Sequence, residues 1–202
     1  SSDVCSSDLQ KPMPAPSAAQ LTEPEMSIRS VCYLPEDKAR VFEPGVGHVL
    51  ISITEPGRAA TVRPGWRKII RARFVDTEYD ERSLAFAGID WWISSGAISP
   101  IQASALRAEI SALAALPDQV DLVIQCLAGQ SRSAAVAQYI ADAYGAALMQ
   151  GPSPKANKTV LALLHDPWCL ISEADYERVM YSFWQRLGRA IRRVTRRKSS
   201  SL

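Results

Sequence analysis

Between Pro117 and Gly145 the hydrophobic period changes once, and that change sets what the chain can fold into. Val120 to Ile124, within QVDLVIQ, is short, β-branched and apolar enough to be buried on both faces of a sheet. Ser133 to Tyr144 then follows the helical period and stops at Gly145, a residue suited to a left-handed cap. A doubly buried strand that feeds straight into a helix belongs to a parallel sheet covered by helices. Three other runs read as strands: Ile28 to Leu34, Val49 to Ile53 within HVLISIT, and Ile69 to Phe74 within KIIRARF. Ahead of the fourth strand, Ile101, Leu106, Ile110 and Leu113 recur at helical spacing until Pro117 ends them. A Gly-Pro-Ser-Pro turn at Gly151 to Pro154 precedes a helix through Val160 to Leu164, and a last helix starts near Glu173. The expectation is one α/β domain with four or five mostly parallel strands and helices on both faces.

The 202 residues suffice for one such domain with a core, and the 47% hydrophobic content is that of a globular chain. Ser1 to Leu9, SSDVCSSDL, fits no structural period and reads as extraneous sequence, Cys5 with it. Residues 1–25 are expected to be a disordered leader, with Pro12, Pro14, Pro16 and Pro24 among small and polar residues. The catalytic domain is expected over 26–185, and 186–202 as a basic helix end and tail. From Arg186 to Lys198 there are seven basic residues and no acidic one. Removing those seven from the 23 basic residues leaves 16 against 21 acidic ones, so the body is acidic and its end basic. Cys5, Cys32, Cys126 and Cys169 have no regular spacing, and with His48 and His165 they form no metal-ligand pattern, so neither metal nor organic cofactor is expected. No run approaches the roughly 18 apolar residues that span a bilayer. No secretory signal is visible, and reduced thiols in a cytoplasm fit these features.

Chemistry concentrates in Ile124-Gln125-Cys126-Leu127-Ala128-Gly129-Gln130-Ser131-Arg132-Ser133. A strand ends in a cysteine, an arginine follows six residues on, then a serine, and a helix begins. A tight loop entering a helix can turn backbone N–H groups of Leu127, Ala128, Gly129, Gln130 and Ser131 inward as an anion nest, and the helix dipole adds positive potential there. Gly129 lets backbone approach a phosphate closely. The planar fork of Arg132 can grip two phosphate oxygens. A field of this kind favours the thiolate, the nucleophilic form of cysteine. The Ser133 hydroxyl can hydrogen-bond the sulfur and support it as a leaving group.

Cys126 to Ser133 resembles the Cys-x5-Arg-Ser/Thr loop of the protein tyrosine and dual-specificity phosphatase superfamily, and the wider pattern is similar to small bacterial predicted tyrosine phosphatases. The similarity spans most of Met26 to Leu164, including the strand of VLISIT, Phe74-Val75-Asp76 and the segment Asn157 to Leu164. It implies a phosphotyrosine phosphatase-like fold and hydrolysis of phosphotyrosine, with phosphoserine or phosphothreonine as further substrates, through a phospho-cysteine. Phosphoprotein or phosphopeptide is the implied partner. Asp76 matches the family's general acid, with Glu78, Asp80 and Glu81 in the same acidic loop. One departure is Gln125, where the family usually has histidine. It leaves open a phosphate reader without turnover; a sulfurtransferase with a cysteine loop is the third reading.

The remaining features read as structure. Trp91 and Trp92 with Ile93 are expected in a satellite core rather than at the mouth of a site. His48, His165 and the buried, inert Cys32 and Cys169 are expected to be structural, and the sequon match at Asn157-Lys158-Thr159 is given no meaning. Trp184, Leu187, Ile191 and Val194 fall at helical spacing. That face is expected to pack on the domain, in preference to a membrane contact, and no nucleic acid is expected. Oligomeric state has no signature.

Overall fold

The computed structural model describes residues 27–199. The leader, with Cys5, Met26 at the expected start of the domain, and residues 200–202 lie outside the described residues. The chain forms one α/β domain on a five-stranded, all-parallel sheet: β1 (Ile28–Pro35), β2 (His48–Thr54), β3 (Lys68–Arg73), β4 (Val120–Cys126) and a two-residue β5 (Ala147–Leu148), in the order β3-β2-β4-β1-β5. The helices are α1 (Glu36–Val41), α2 (Glu81–Ala87), α3 (Ile89–Ser95), α4 (Pro100–Ala114), α5 (Arg132–Tyr144), α6 (Lys158–His165) and α7 (Glu173–Ser199).

β4 is the middle strand. Val120, Leu122, Val123 and Ile124 are all buried, as a strand covered on both faces requires. β2 beside it is buried from Val49 to Thr54. The connections from β3 to β4 and from β4 to β5 run the same way across the sheet. Right-handed crossovers put such helices on one face, and α4, α5 and α6 pack together there. The connection from β1 to β2 runs the opposite way. The carboxyl ends of β1 and β4 therefore release their chains in opposite directions, the kind of crevice where open parallel sheets bind ligands.

Local chemistry explains the element ends. Ser99 and Gln102 close a reciprocal capping box on α4, with Pro100 in its first turn. α5 ends at Gly145, φ +65°, the left-handed cap the sequence announces. Three short helices, α1, α2 and α3, had no sequence signal strong enough to be expected. Ile101 is exposed although it falls at helical spacing with Leu106, Ile110 and Leu113, which are buried. Trp92 is a core residue whose Nε1 donates to the Ile98 carbonyl at 3.1 Å, whereas Trp91 is half exposed. Of the four Trp184-line positions, Trp184 itself is 59% exposed, so packing on the domain does not extend to it.

At the opposite end of the sheet Asp121 joins β1 to β4. Its carboxylate accepts hydrogen bonds from Ser30 Oγ at 2.6 Å and from Arg29, Nε at 3.0 Å. The hydrogen bond from Arg29 holds the Asp121 carboxyl below the usual carboxylate range. Arg29 is largely exposed, so solvent screens much of that pair. A depressed folded value gives stability that is present above the ordinary carboxylate range and is lost as pH falls through the folded value. Asp121→Asn should cost about 1 kcal/mol at neutral pH, and the gap to the parent should close below about pH 4 in urea unfolding.

Candidate functional site

Cys126 ends β4 and is 1% exposed. Its Sγ lies 3.1 Å from Ser133 Oγ, presented by the first turn of α5. Of the five residues between strand and helix, Leu127, Gln130 and Ser131 have their carbonyls tied to groups around the loop. The Leu127 carbonyl accepts from the Glu36 backbone N–H at 3.4 Å, and the Gln130 carbonyl from Ser153 Oγ at 2.9 Å. The Ser131 carbonyl accepts from the Asn157 N–H at 3.3 Å and the Ala135 N–H at 3.0 Å. In a trans peptide the next N–H points opposite to the carbonyl. The Ala128, Ser131 and Arg132 amides are thus aimed away from these outer partners. Among the described residues, the N–H groups of Ala128, Gly129, Gln130 and Ser131 donate to no protein acceptor.

Gly129 has a second reason to be glycine. Its φ is +64°, and a Cβ there would stand 2.2 Å from Pro35 N and 2.5 Å from Leu34 C. The loop is pressed onto the backbone at the end of β1, which no side chain allows. The side chains of Leu127, Ala128 and Gln130 face outward and are exposed, and Gln130 Oε1 accepts from Lys155 Nζ at 3.1 Å.

Arg132 is 3% exposed. Its Nη1 donates to the Phe74 carbonyl at 2.7 Å, tying α5 to the end of β3. Its Nε is buried with no hydrogen-bond acceptor and stands 3.8 Å from Asp76 Oδ2, an ion-pair distance too long for a hydrogen bond. Asp76 Oδ1 accepts from Ser131 Oγ at 2.6 Å and from Asn157 Nδ2 at 2.9 Å. Asp76, Ser131, Arg132, Ser133 and Cys126 are thus brought to one end of one strand from segments far apart in sequence.

The other acids of the loop go elsewhere. Asp80 caps α2, accepting from the Ser83 N–H at 2.7 Å, and hydrogen bonding from the Ser83 side chain and then its N–H holds its carboxyl below the usual range. Glu78 accepts from the Lys158 N–H at 3.0 Å, and Glu81 lies in the first turn of α2. Burial pushes the Cys32 thiol up to about 11, Asp121 adding to it. Cys169 is exposed, not buried as expected, because it sits in the turn between α6 and α7. His48 Nδ1 accepts from the Gly45 N–H at 3.0 Å, and His165 packs edge-on against the Tyr139 ring.

Asn157 is the residue that sequence reasoning missed. Its Oδ1 caps α6 by accepting from the Val160 N–H at 2.9 Å, while its Nδ2 reaches Asp76 and, at 3.3 Å, the Thr77 carbonyl. An asparagine just before an apolar helical run is itself an N-cap signal. Glu36 was missed too. It is buried at the start of α1 and is paired with Arg58 at 2.8 Å and Arg40 at 3.6 Å. Gln125 is fully buried; its Nε2 donates to Ser52 Oγ at 2.6 Å and its Oε1 has no partner.

No family model, curated protein or solved structure matches the chain.

Gly129→Ala adds both the steric cost of a left-handed alanine and a collision with backbone. It should destabilise the domain by about 3 kcal/mol or more, read as a lower urea midpoint. Gly145→Ala has the same sign of φ and nothing within 4 Å of its Cβ, so it should cost only about 1 kcal/mol.

Proposed function

We propose that this chain is a cysteine-dependent phosphatase with a phosphatase-like fold, acting on phosphotyrosine, and also on phosphoserine or phosphothreonine, in a protein or peptide. The observation that carries the reading is the loop around Cys126, in which amides of Ala128 to Ser131 have no protein acceptor while the Leu127, Gln130 and Ser131 carbonyls are tied outward. Such a nest complements the three non-bridging oxygens of a phosphate monoester. Arg132 adds a fixed cation whose buried Nε has no acceptor of its own.

Each side chain then has one step. The Cys126 thiolate attacks phosphorus and the ester oxygen departs, taking its proton from the Asp76 carboxyl. Asp76, now ionised, removes a proton from water, and the resulting hydroxide attacks the phospho-cysteine. Phosphate leaves and the thiolate returns, with the Ser133 hydroxyl hydrogen-bonded to sulfur. Ser131 and Asn157 hold the Asp76 carboxylate beside the loop, which supports Asp76 over Asp80 as the acid. A second reading, a phosphopeptide-binding module without turnover, draws on Gln125: its amide is spent on Ser52 on the neighbouring strand.

Metal-independent hydrolysis of p-nitrophenyl phosphate and of a phosphotyrosine peptide is the test. Cys126→Ser should abolish it, and Arg132→Ala should lower turnover about 10²- to 10³-fold. Asp76→Asn should lower turnover about 10²- to 10⁴-fold on phenyl phosphate and much less on the activated ester, whose leaving group needs no proton. The same leaving-group dependence in Asp80→Asn would move the acid there. Arg132-dependent binding of the phosphopeptide without hydrolysis would make the protein a reader.

A further inference from the structure

α7 is 27 residues long, about 40 Å, far more helix than its docking needs. Its first turns hold it to the domain. Tyr176 is buried with its ring edge-on to Trp168, and Arg186 pairs with Asp90 on α3. After Glu177 the sequence has no acidic residue, and seven cations follow from Arg186 to Lys198. Arg186 is taken by Asp90, and a helix end needs one or two cations to complement its own dipole, so these roles do not account for the six from Arg189 to Lys198.

The domain also leaves the aromatic start of this stretch uncovered. Trp184 is 59% and Tyr181 68% exposed. In the sequence Leu187, Ile191 and Val194 follow Trp184 at helical spacing, and the cations fall between them. Phe86 on α2 and Trp91 on α3 are exposed as well, on the helix pair that carries Asp90, the partner of Arg186. Nucleic acid would use the cations but has no use for an aliphatic line beside them. A flat, anionic lipid surface uses both, with aromatic and aliphatic groups at the acyl boundary and arginines among the headgroups. The remaining body carries 16 basic against 21 acidic residues, so the same surface would repel it and favour engagement through the basic end.

We propose that α7 is an interfacial membrane anchor that docks this protein on bilayers containing anionic lipid through Trp184 and the basic helix beyond it. The inference does not depend on the phosphatase reading.

The test is co-sedimentation of the full chain with vesicles of phosphatidylcholine alone and of phosphatidylcholine with roughly one-third phosphatidylserine, at about 0.1 M salt. Binding should be at least about tenfold tighter on the anionic vesicles and should fall as salt rises. Trp184→Ala should weaken it about tenfold, and Arg192→Glu with Arg193→Glu and Arg196→Glu should abolish it. Both variants leave Tyr176 and the site untouched, so thermal unfolding should match the parent. No preference for anionic vesicles, or full retention by either variant, overturns the anchor. Binding to oligouridylate without pelleting on anionic vesicles overturns it in favour of nucleic acid.

Discussion

The contact between Gly129 and the backbone of Leu34 and Pro35 fixes the path of the loop after β4, and the candidate site is arranged around that path. Because the loop lies on the end of β1, the Leu127 carbonyl meets the Glu36 amide at the start of α1. Glu36 in turn is buried and held by Arg58, which follows β2. The ends of β1, β2 and β4 are thereby locked to one another at the switch point of the sheet. Arg40 is a second cation for this buried carboxylate, so the pairing ties α1 and the segment after β2 to this end of the sheet. The proposed anion nest would thus be a consequence of backbone packing, with loop amides left over while the Leu127, Gln130 and Ser131 carbonyls are tied.

The Asp76 side of the candidate site is built by a second lock. Arg132 opens α5 and bonds the Phe74 carbonyl, which sets where the chain leaves β3 and hence where Asp76 lies. Asn157 then serves two structures at once, capping α6 with its oxygen and holding Asp76 with its nitrogen. Ser131 completes the arrangement from within the loop. Arg132 and Asn157 hold opposite sides of one short segment. The Asp76 carboxylate is thereby fixed beside the loop by contacts from the loop, from α5 and from the start of α6.

The sequence makes some of this legible and hides the rest for physical reasons. β2 and β4 declare themselves because strands buried on both faces must be continuously apolar. The Cys126 to Ser133 segment is readable because strand, loop and helix succeed one another locally. α1, α2 and α3 are too short for a hydrophobic period to establish itself over one or two turns. Gly129 was expected to be glycine for the sake of a ligand; the structure adds the neighbouring strand end, a contact between positions distant in sequence. Asn157 escaped for the same reason: its cap is local and visible, but its bond to Asp76 spans a separation no period encodes. Cys169 was misplaced because a cysteine is judged from average burial, and a tight turn overrides the average.

Gln125 shows how such a site can be tuned from below. Successive residues of a strand face opposite sides of the sheet, so Gln125 and Cys126 project to opposite faces. Its amide bonds Ser52, the residue paired with it in register on β2. Its influence on the sulfur therefore runs through the backbone of β4 and through the spacing of β2 and β4 directly beneath the loop. A buried amide with an unpartnered oxygen is costly, and an apolar residue in its place would instead leave the buried Ser52 hydroxyl without its partner. The amide therefore satisfies Ser52 and leaves one oxygen unpartnered directly beneath the loop, where half-satisfied polar groups tend to mark function.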